Sequence, residues 1–138
     1  MGLILDTSLL IGAERRPERF EQELRSRGDE AVAIAAITAA ELLHGCLRAR
    51  EPGVRARRSA FVEAVLDSVP VLPFGLAEAR RHAELWAELA RAGTPSGPHD
   101  MLVAATVLAR GYSLASPNRR EFARVPGLRL TDIAGFTE

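Results

Sequence analysis

Three acids stand out by their surroundings. Asp6 ends the apolar run Leu3-Ile4-Leu5, Glu41 sits in Thr38-Ala39-Ala40-Glu41, and Asp100 opens the Ala-rich stretch to Arg110. Each has an ordinary reading. Asp6 could cap a helix, Thr38 and Glu41 have the spacing of a capping box, and an acid near a helix start is favoured by the helix dipole. Capping does not, however, require three caps on one rim. Asp6 and Asp100 are also flanked by apolar sequence on at least one side. Carboxylates gathered in a partly buried site repel one another, and a divalent cation relieves that repulsion. An oxygen-only set selects a hard cation, Mg²⁺ or Mn²⁺ rather than Zn²⁺. The histidines His44, His82 and His99 show no H-E-x-x-H arrangement. His99 reads as structural or as a support for the site, because adjacent helical residues point in different directions.

The elements that must position these acids follow from the pattern. Leu3 to Leu5 reads as a buried strand, and Thr7 and Ser8 start a helix over Leu9 to Ala13. Pro17 opens a charged helix to about Arg27, closed by Gly28. Ala31 to Ala35 is a buried strand or a short helix. Thr38 to Arg50 is a helix with Leu42, Leu43 and Leu47 on one face. After Pro52-Gly53 a helix runs through Phe61, Val65 and Leu66 to Asp67. Val69 to Phe74, flanked by prolines, is a strand near a sheet edge. Leu76 to Ala92 is an amphipathic helix with Leu85, Trp86 and Leu89 inward, and Gly93 to Pro98 is a loop. Asp100 to Arg110 is a buried helix ended by Gly111, Tyr112 to Ala115 is a strand, and Leu128 to Leu130 is a candidate last one.

Strands alternating with helices predict a mostly parallel sheet covered on both faces. In such a sheet the C-terminal strand ends and the following helix starts share one edge, where ligands bind. Asp6, Glu41 in the first turn of its helix, Asp100, and Ser116 and Asn118 after the fourth strand all converge there.

Composition bounds the rest. The 138 residues suit one domain, and 47% hydrophobic content suits a packed interior. The 18 basic residues balance 18 acids, and all are Arg. A neutral chain is no indiscriminate nucleic-acid binder, so a polyanionic substrate needs a local patch. Arginine runs at Arg15-Arg16-Arg19 and Arg119-Arg120-Arg124 are expected to flank the rim, with Arg15, Arg16, Arg119 and Arg120 the candidate phosphate contacts. The run from Arg48 to Arg58 is assigned to helix surface or a protein partner. The lone Cys46 excludes an intramolecular disulfide and reads as a small core residue. No stretch is long enough to span a bilayer, and Gly2 to Ile11 is a poor signal peptide because Asp6 interrupts it. A soluble, cytoplasmic protein is expected.

Four pieces in this order and spacing, LDTSLLIG, ITAAELLHG, GTPSGPHDMLVAATVLARG and LASPNRREFARVPGL, resemble the PIN-domain family, specifically its VapC-like toxins of bacterial toxin–antitoxin pairs. The similarity covers nearly the whole chain, residues 1–138, as one nuclease domain. It implies a three-layer α/β/α fold with a central sheet of four to five strands. It also implies a homodimer, Mg²⁺- or Mn²⁺-dependent ribonuclease activity, and inhibition by a small VapB-like antitoxin, with hetero-oligomers of the two. Asp6, Glu41 and Asp100 match the family's three principal acids. Asp6 and Asp100 then bind the metal, Glu41 binds it or orients a coordinated water, and Thr7, Ser116 and Asn118 support them. The family's fourth acidic position reads Ser116-Pro117-Asn118 here, with no carboxylate. Glu121 lies one helical turn on and is not substituted for it, so a second metal is in doubt.

Two phosphate-handling rivals also place an Asp after the first strand. A haloacid-dehalogenase-type phosphatase wants a second Asp where Ser8 stands, and a Lys. A response-regulator receiver domain also needs a Lys. A chain without Lys meets neither demand. A catalytically inactive PIN-like module that binds RNA or protein is the remaining alternative, and the intact acids argue against it.

Overall fold

Gly2–Leu5 forms strand β1, buried along its whole length, and its alternation sets the architecture. Leu3 and Leu5 project into one apolar cluster with Leu10, Phe20, Leu42, Phe61 and Val65. Ile4 projects into another with Leu85, Leu89, Val103 and Val107. Because side chains alternate along a strand, a strand buried on both faces must lie between two helical layers. The structure, a computed structural model, describes residues 2–137 and has these three layers.

After β1 come α1 (Thr7–Ala13), α2 (Pro17–Ser26), β2 (Ala31–Ala35), α3 (Ala36–Arg48) and α4 (Pro52–Ser68). The edge strand β3 (Val71–Leu72), the hairpin of α5 (Leu76–Ala92) and α6 (Pro98–Arg110), and β4 (Ser113–Ala115) follow. Short helices α7 (Arg119–Phe122) and α8 (Ala134–Thr137) complete the described chain. The sheet order is β3-β2-β1-β4 with every pairing parallel. Ile34 and Ala115 repeat the placement of Leu3 and Leu5, while Ala35 and Leu114 repeat that of Ile4. Truncating the fully buried Ile4 to Ala should cost about 2–5 kcal/mol, as large-to-small changes in such cores do.

The chain leaves β1 outward through β2 and β3, then returns to pair β4 on β1's other side. The strand order therefore switches between β1 and β4. Asp6 and Ser116 follow those two strands directly, at the place where open α/β sheets bind ligands. Gly111, at φ +69°, stops α6 in the left-handed conformation that favours glycine. At Gly2 the reason differs: the Tyr112 ring packs into the space a Cβ would need, so a larger residue would have to displace that ring.

Several expectations are revised. β2 is a strand, and the candidate strand over Leu128 to Leu130 is a single parallel bridge, Leu114 to Leu130. Helix α3 starts at Ala36, so Glu41 lies in its second turn rather than its first. The inward face of α3 is Thr38, Leu42 and Cys46, spaced four apart. Leu43 and Leu47, one position further round, are exposed. Trp86 is likewise 59% exposed, whereas Leu85 and Leu89 are buried. Both errors come from assigning a helix face by hydrophobicity alone, when Thr38 and Cys46 hold the α3 stripe. Cys46 is the buried core residue expected. Among the described residues, no helix is long and apolar enough to cross a membrane.

Candidate active site

Asp6 occupies the N-cap position of α1, yet its side chain makes no capping bond. Its backbone does the structural work: the Asp6 amide donates to the Ala115 carbonyl, and its carbonyl accepts from the Leu9 and Leu10 amides. That leaves the carboxylate available, although it is only 2% exposed. Ser116, fully buried at the end of β4, donates its hydroxyl to Asp6 Oδ2 at 2.8 Å. The same Ser116 oxygen accepts from the Asn118 amide at 3.0 Å, and Asn118 Nδ2 donates to Ser8 Oγ at 3.2 Å. Burial pushes the Asp6 pKa above its usual value despite the Ser116 bond, and Glu41's charge adds to the rise.

The other acids come from helices. Glu41 is half-buried and held at both oxygens: Thr7 Oγ1 lies 2.7 Å from Oε1, and His99 Nδ1 lies 2.9 Å from Oε2. Thr7 Oγ1 is also 2.9 Å from Thr38 Oγ1. A hydroxyl has one proton and a carboxylate only accepts, so Thr7 gives its proton to Glu41 and can accept from Thr38. The Thr38–Glu41 spacing is therefore no capping box: Ala35 is the N-cap residue, and Thr38 is a fully buried brace beneath Thr7. The reach-back from a helix's third residue to its N-cap amide occurs instead in α5, where Glu78 accepts from the Gly75 amide at 2.8 Å.

Asp100, in the first turn of α6, completes the group. Burial raises its pKa first, followed by the charges of Asp6, Glu41 and Glu121, while His99 opposes the rise. Carboxylates from three distant segments thus feel one another. Burial and mutual repulsion of oxygen donors are the conditions a hard cation relieves. Among the described residues no closed set of three ligating side chains already stands assembled. Glu41 is instead tied to Thr7 and His99.

The structure brings Asp6, Thr7, Glu41, Asp100, Ser116 and Asn118 to one rim. His99, read from the sequence as structural or as a support for the site, turns toward Glu41, which only the approach of α6 to α3 shows. Ser8 and Thr38 are further participants, with no signal beyond being hydroxyl residues near an acid. Glu121 lies close enough for its charge to act on Asp100, and it pairs with Arg124 at 3.1 Å. Arg119 and Arg120 follow Asn118 directly; Arg120 is exposed, and Arg119 Nη1 donates to the Thr131 carbonyl at 2.9 Å. Arg15 and Arg16 stand past the far end of α1, a helix about 10 Å long at 1.5 Å per residue. Arg15 there lines a cleft of about 670 Å³ with Phe20 of α2 and Phe61 and Arg57 of α4.

Comparison with known proteins identifies the family. The PIN domain model matches residues 3–128. Ribonuclease VapC1 of Rickettsia felis is 37% identical over 134 residues, covering 97% of this chain and 98% of its own. The tRNA(fMet)-specific endonuclease VapC of Salmonella typhimurium is 33% identical over 132 residues, covering 96% of this chain and 98% of its own. Among solved structures, DNA-bound VapBC from Salmonella typhimurium superposes with a TM-score of 0.85 at 32% identity, covering 96% of this chain and 98% of that one. VapBC2 from Rickettsia felis, bound to a promoter DNA fragment, gives 0.86 at 25% identity, covering 95% and 98%. With the PIN domain model matching residues 3–128 and VapC relatives matching nearly its full length, the chain belongs to the PIN-domain family, in its VapC-like branch.

Proposed function

We propose that the chain, as one nuclease domain over residues 1–138, is a metal-dependent endoribonuclease toxin held in check by a small VapB-like antitoxin. The observation that carries this reading is the convergence of Asp6, Glu41 and Asp100 at the β1–β4 switch, where burial and then Glu41's charge raise the Asp6 pKa, and burial and then the charges of Asp6 and Glu41 raise that of Asp100. The named relatives are ribonucleases, which supports RNA as the substrate.

Asp6 and Asp100 would hold Mg²⁺, with Mn²⁺ as substitute, through carboxylate oxygens, and Glu41 would complete the set or orient a water. A cation bound there supplies Lewis acidity and a water of lowered pKa. The chain's own residues do the positioning. Ser116 fixes one Asp6 oxygen and so directs the other, while Thr7 and His99 aim Glu41. Hydrolysis by water leaves 5′-phosphate and 3′-hydroxyl ends. Ser116 and Asn118 spend their hydrogen bonds on Asp6, Ser8 and the local turn, so neither stands in for a fourth carboxylate. Arg119 and Arg120 begin α7 beside this rim and suit phosphate contact.

VapBC complexes among the structural neighbours support an antitoxin partner. The antitoxin would wrap the helices around Leu42 to Arg58, use the aromatic-floored cleft between α2 and α4, and present an Arg to the acidic rim. A homodimer would form separately, through exposed apolar surface outside that segment, such as Ile11 or Leu76. The test is incubation of purified protein with total RNA in Mg²⁺, in EDTA, and with antitoxin added. Cleavage only in Mg²⁺, abolished by antitoxin and by Asp100→Asn, is expected. Undiminished cleavage in EDTA or by Asp100→Asn would refute the site.

A further inference from the structure

The first turn of α6 borders two features, and the acids account for only one. His99 and Asp100 belong to the acidic rim, whereas Pro98 and Met101, on either side of them in sequence, line a groove of about 460 Å³ against α5. Its other walls include Trp86 and Leu89 of α5 and Pro95 and Ser96 of the connecting loop. No Asp, Glu or Arg lines it among the described residues. We propose that this groove is a nucleobase pocket, in which a base of the RNA strand next to the cleaved phosphate stacks on Trp86 and hydrogen-bonds to Ser96. The proposal rests on the ribonuclease reading above.

Three observations carry it. First, Trp86 is a large apolar side chain left 59% exposed. It meets His82 edge-on at 5.7 Å, and His82 in turn meets Phe74 at 6.0 Å. An exposed indole on a supported row of rings is what single-stranded nucleic acids use as a stacking platform. Second, Ser96 Oγ is buried with no hydrogen-bond partner among the described residues. A buried hydroxyl left unpaired is costly, and a partner that fills the groove should satisfy it. An aliphatic side chain from a protein would fill the space without bonding to Ser96. A base offers a flat apolar face and a hydrogen-bonding edge together, and a hydroxyl can donate to or accept from that edge. Third, the groove and the acidic rim share the first turn of α6, Pro98 and Met101 lining the one and Asp100 belonging to the other. A strand whose phosphate reached Asp100 would bring a neighbouring base to Pro98 and Met101.

The sequence holds one Trp, so the protein's indole emission reports on Trp86 alone. Asp100→Asn protein, which should bind RNA without cutting it, is titrated with single-stranded oligoribonucleotides and with abasic strands of equal length. RNA is expected to change the emission saturably, whereas abasic strands compete for binding without that change. In otherwise active protein, Trp86→Ala should raise KM for RNA about ten- to hundredfold at unchanged kcat. Trp86→Phe should restore most of it, and Ser96→Ala should alter base preference at one position beside the cut. RNA that binds while leaving the emission unchanged would overturn the proposal. So would a Trp86→Ala chain that loses self-association but keeps its KM, which would make the groove a protein contact. A wild-type protein that cleaves no RNA at all would be a different failure: the ribonuclease reading itself would go, and the pocket with it.

Discussion

The two halves of the acidic rim are built differently. On the strand side, Asp6 is locked by backbone bonds to β4 and α1 and by the buried Ser116 hydroxyl, and Asn118 extends the frame to Ser8. On the helix side, Glu41 and Asp100 are part-buried, and Glu41 rests on Thr7 and an exposed His99. The strand side is buried and braced by backbone, whereas the helix side is part-exposed and held by side chains alone. A site of this kind can keep one ligand fixed and draw the others in when charge is neutralised.

The largest effect should come from removing an anchor on either side. Asp6→Asn and Asp100→Asn should each lower RNA cleavage about a thousandfold or more, since several kcal/mol of transition-state stabilisation depend on the cation. Neither should unfold the chain in EDTA, because each removes a charge from a repulsive cluster; melting temperatures check this. Next, Ser116→Ala should weaken Mn²⁺ binding about ten- to hundredfold, measured by titration. Thr7→Val, on the helix side, should cost about tenfold in the same assay. If Thr7→Val proved as damaging as Ser116→Ala, the contrast between the halves would fail.

The contrast also has a pH signature. Asp6 and Asp100 have folded-state pKa values raised above the ordinary 3.8 of an aspartate. Between 3.8 and the raised values the folded protein binds more protons than the unfolded chain, so the contribution of these groups to stability falls as pH rises. Glu51 and Glu78 work the other way: backbone amides lower their pKa values below 4.5, and their contribution is lost on acidification. Without metal, the stability gain of Asp6→Asn over wild type should therefore grow with pH across the window above 3.8. A pH-independent difference would contradict the assignment. The smallest effect is expected outside the rim. Glu78→Gln removes a carboxylate from the start of α5 and its pairing with Arg110 at 3.3 Å. It should cost about 1 kcal/mol of stability and leave cleavage unchanged.

Much of this was legible in the sequence because it depends on local pattern. Alternating strands and helices imply a parallel sheet, and strand ends imply a shared rim, the edge at which the structure has Asp6, Asp100, Ser116 and Asn118. The misreadings arose where a residue's partner comes from elsewhere in the chain. Thr38 looked like a cap because Thr7, 31 residues away, is not visible in its own helix. The structural and supporting readings of His99 could not be separated because its partner Glu41 is 58 residues away. Trp86 looked like core because hydrophobicity does not reveal which side of a helix a neighbouring element covers.

The most direct test of the central claim is a Mn²⁺ titration of the purified chain, followed by electron paramagnetic resonance with RNA cleavage measured at each point. The account predicts saturable binding, cleavage that rises along the same curve, and loss of both in Asp6→Asn and Asp100→Asn. Cleavage at full rate without added metal, or Mn²⁺ binding unchanged in both variants, would contradict it.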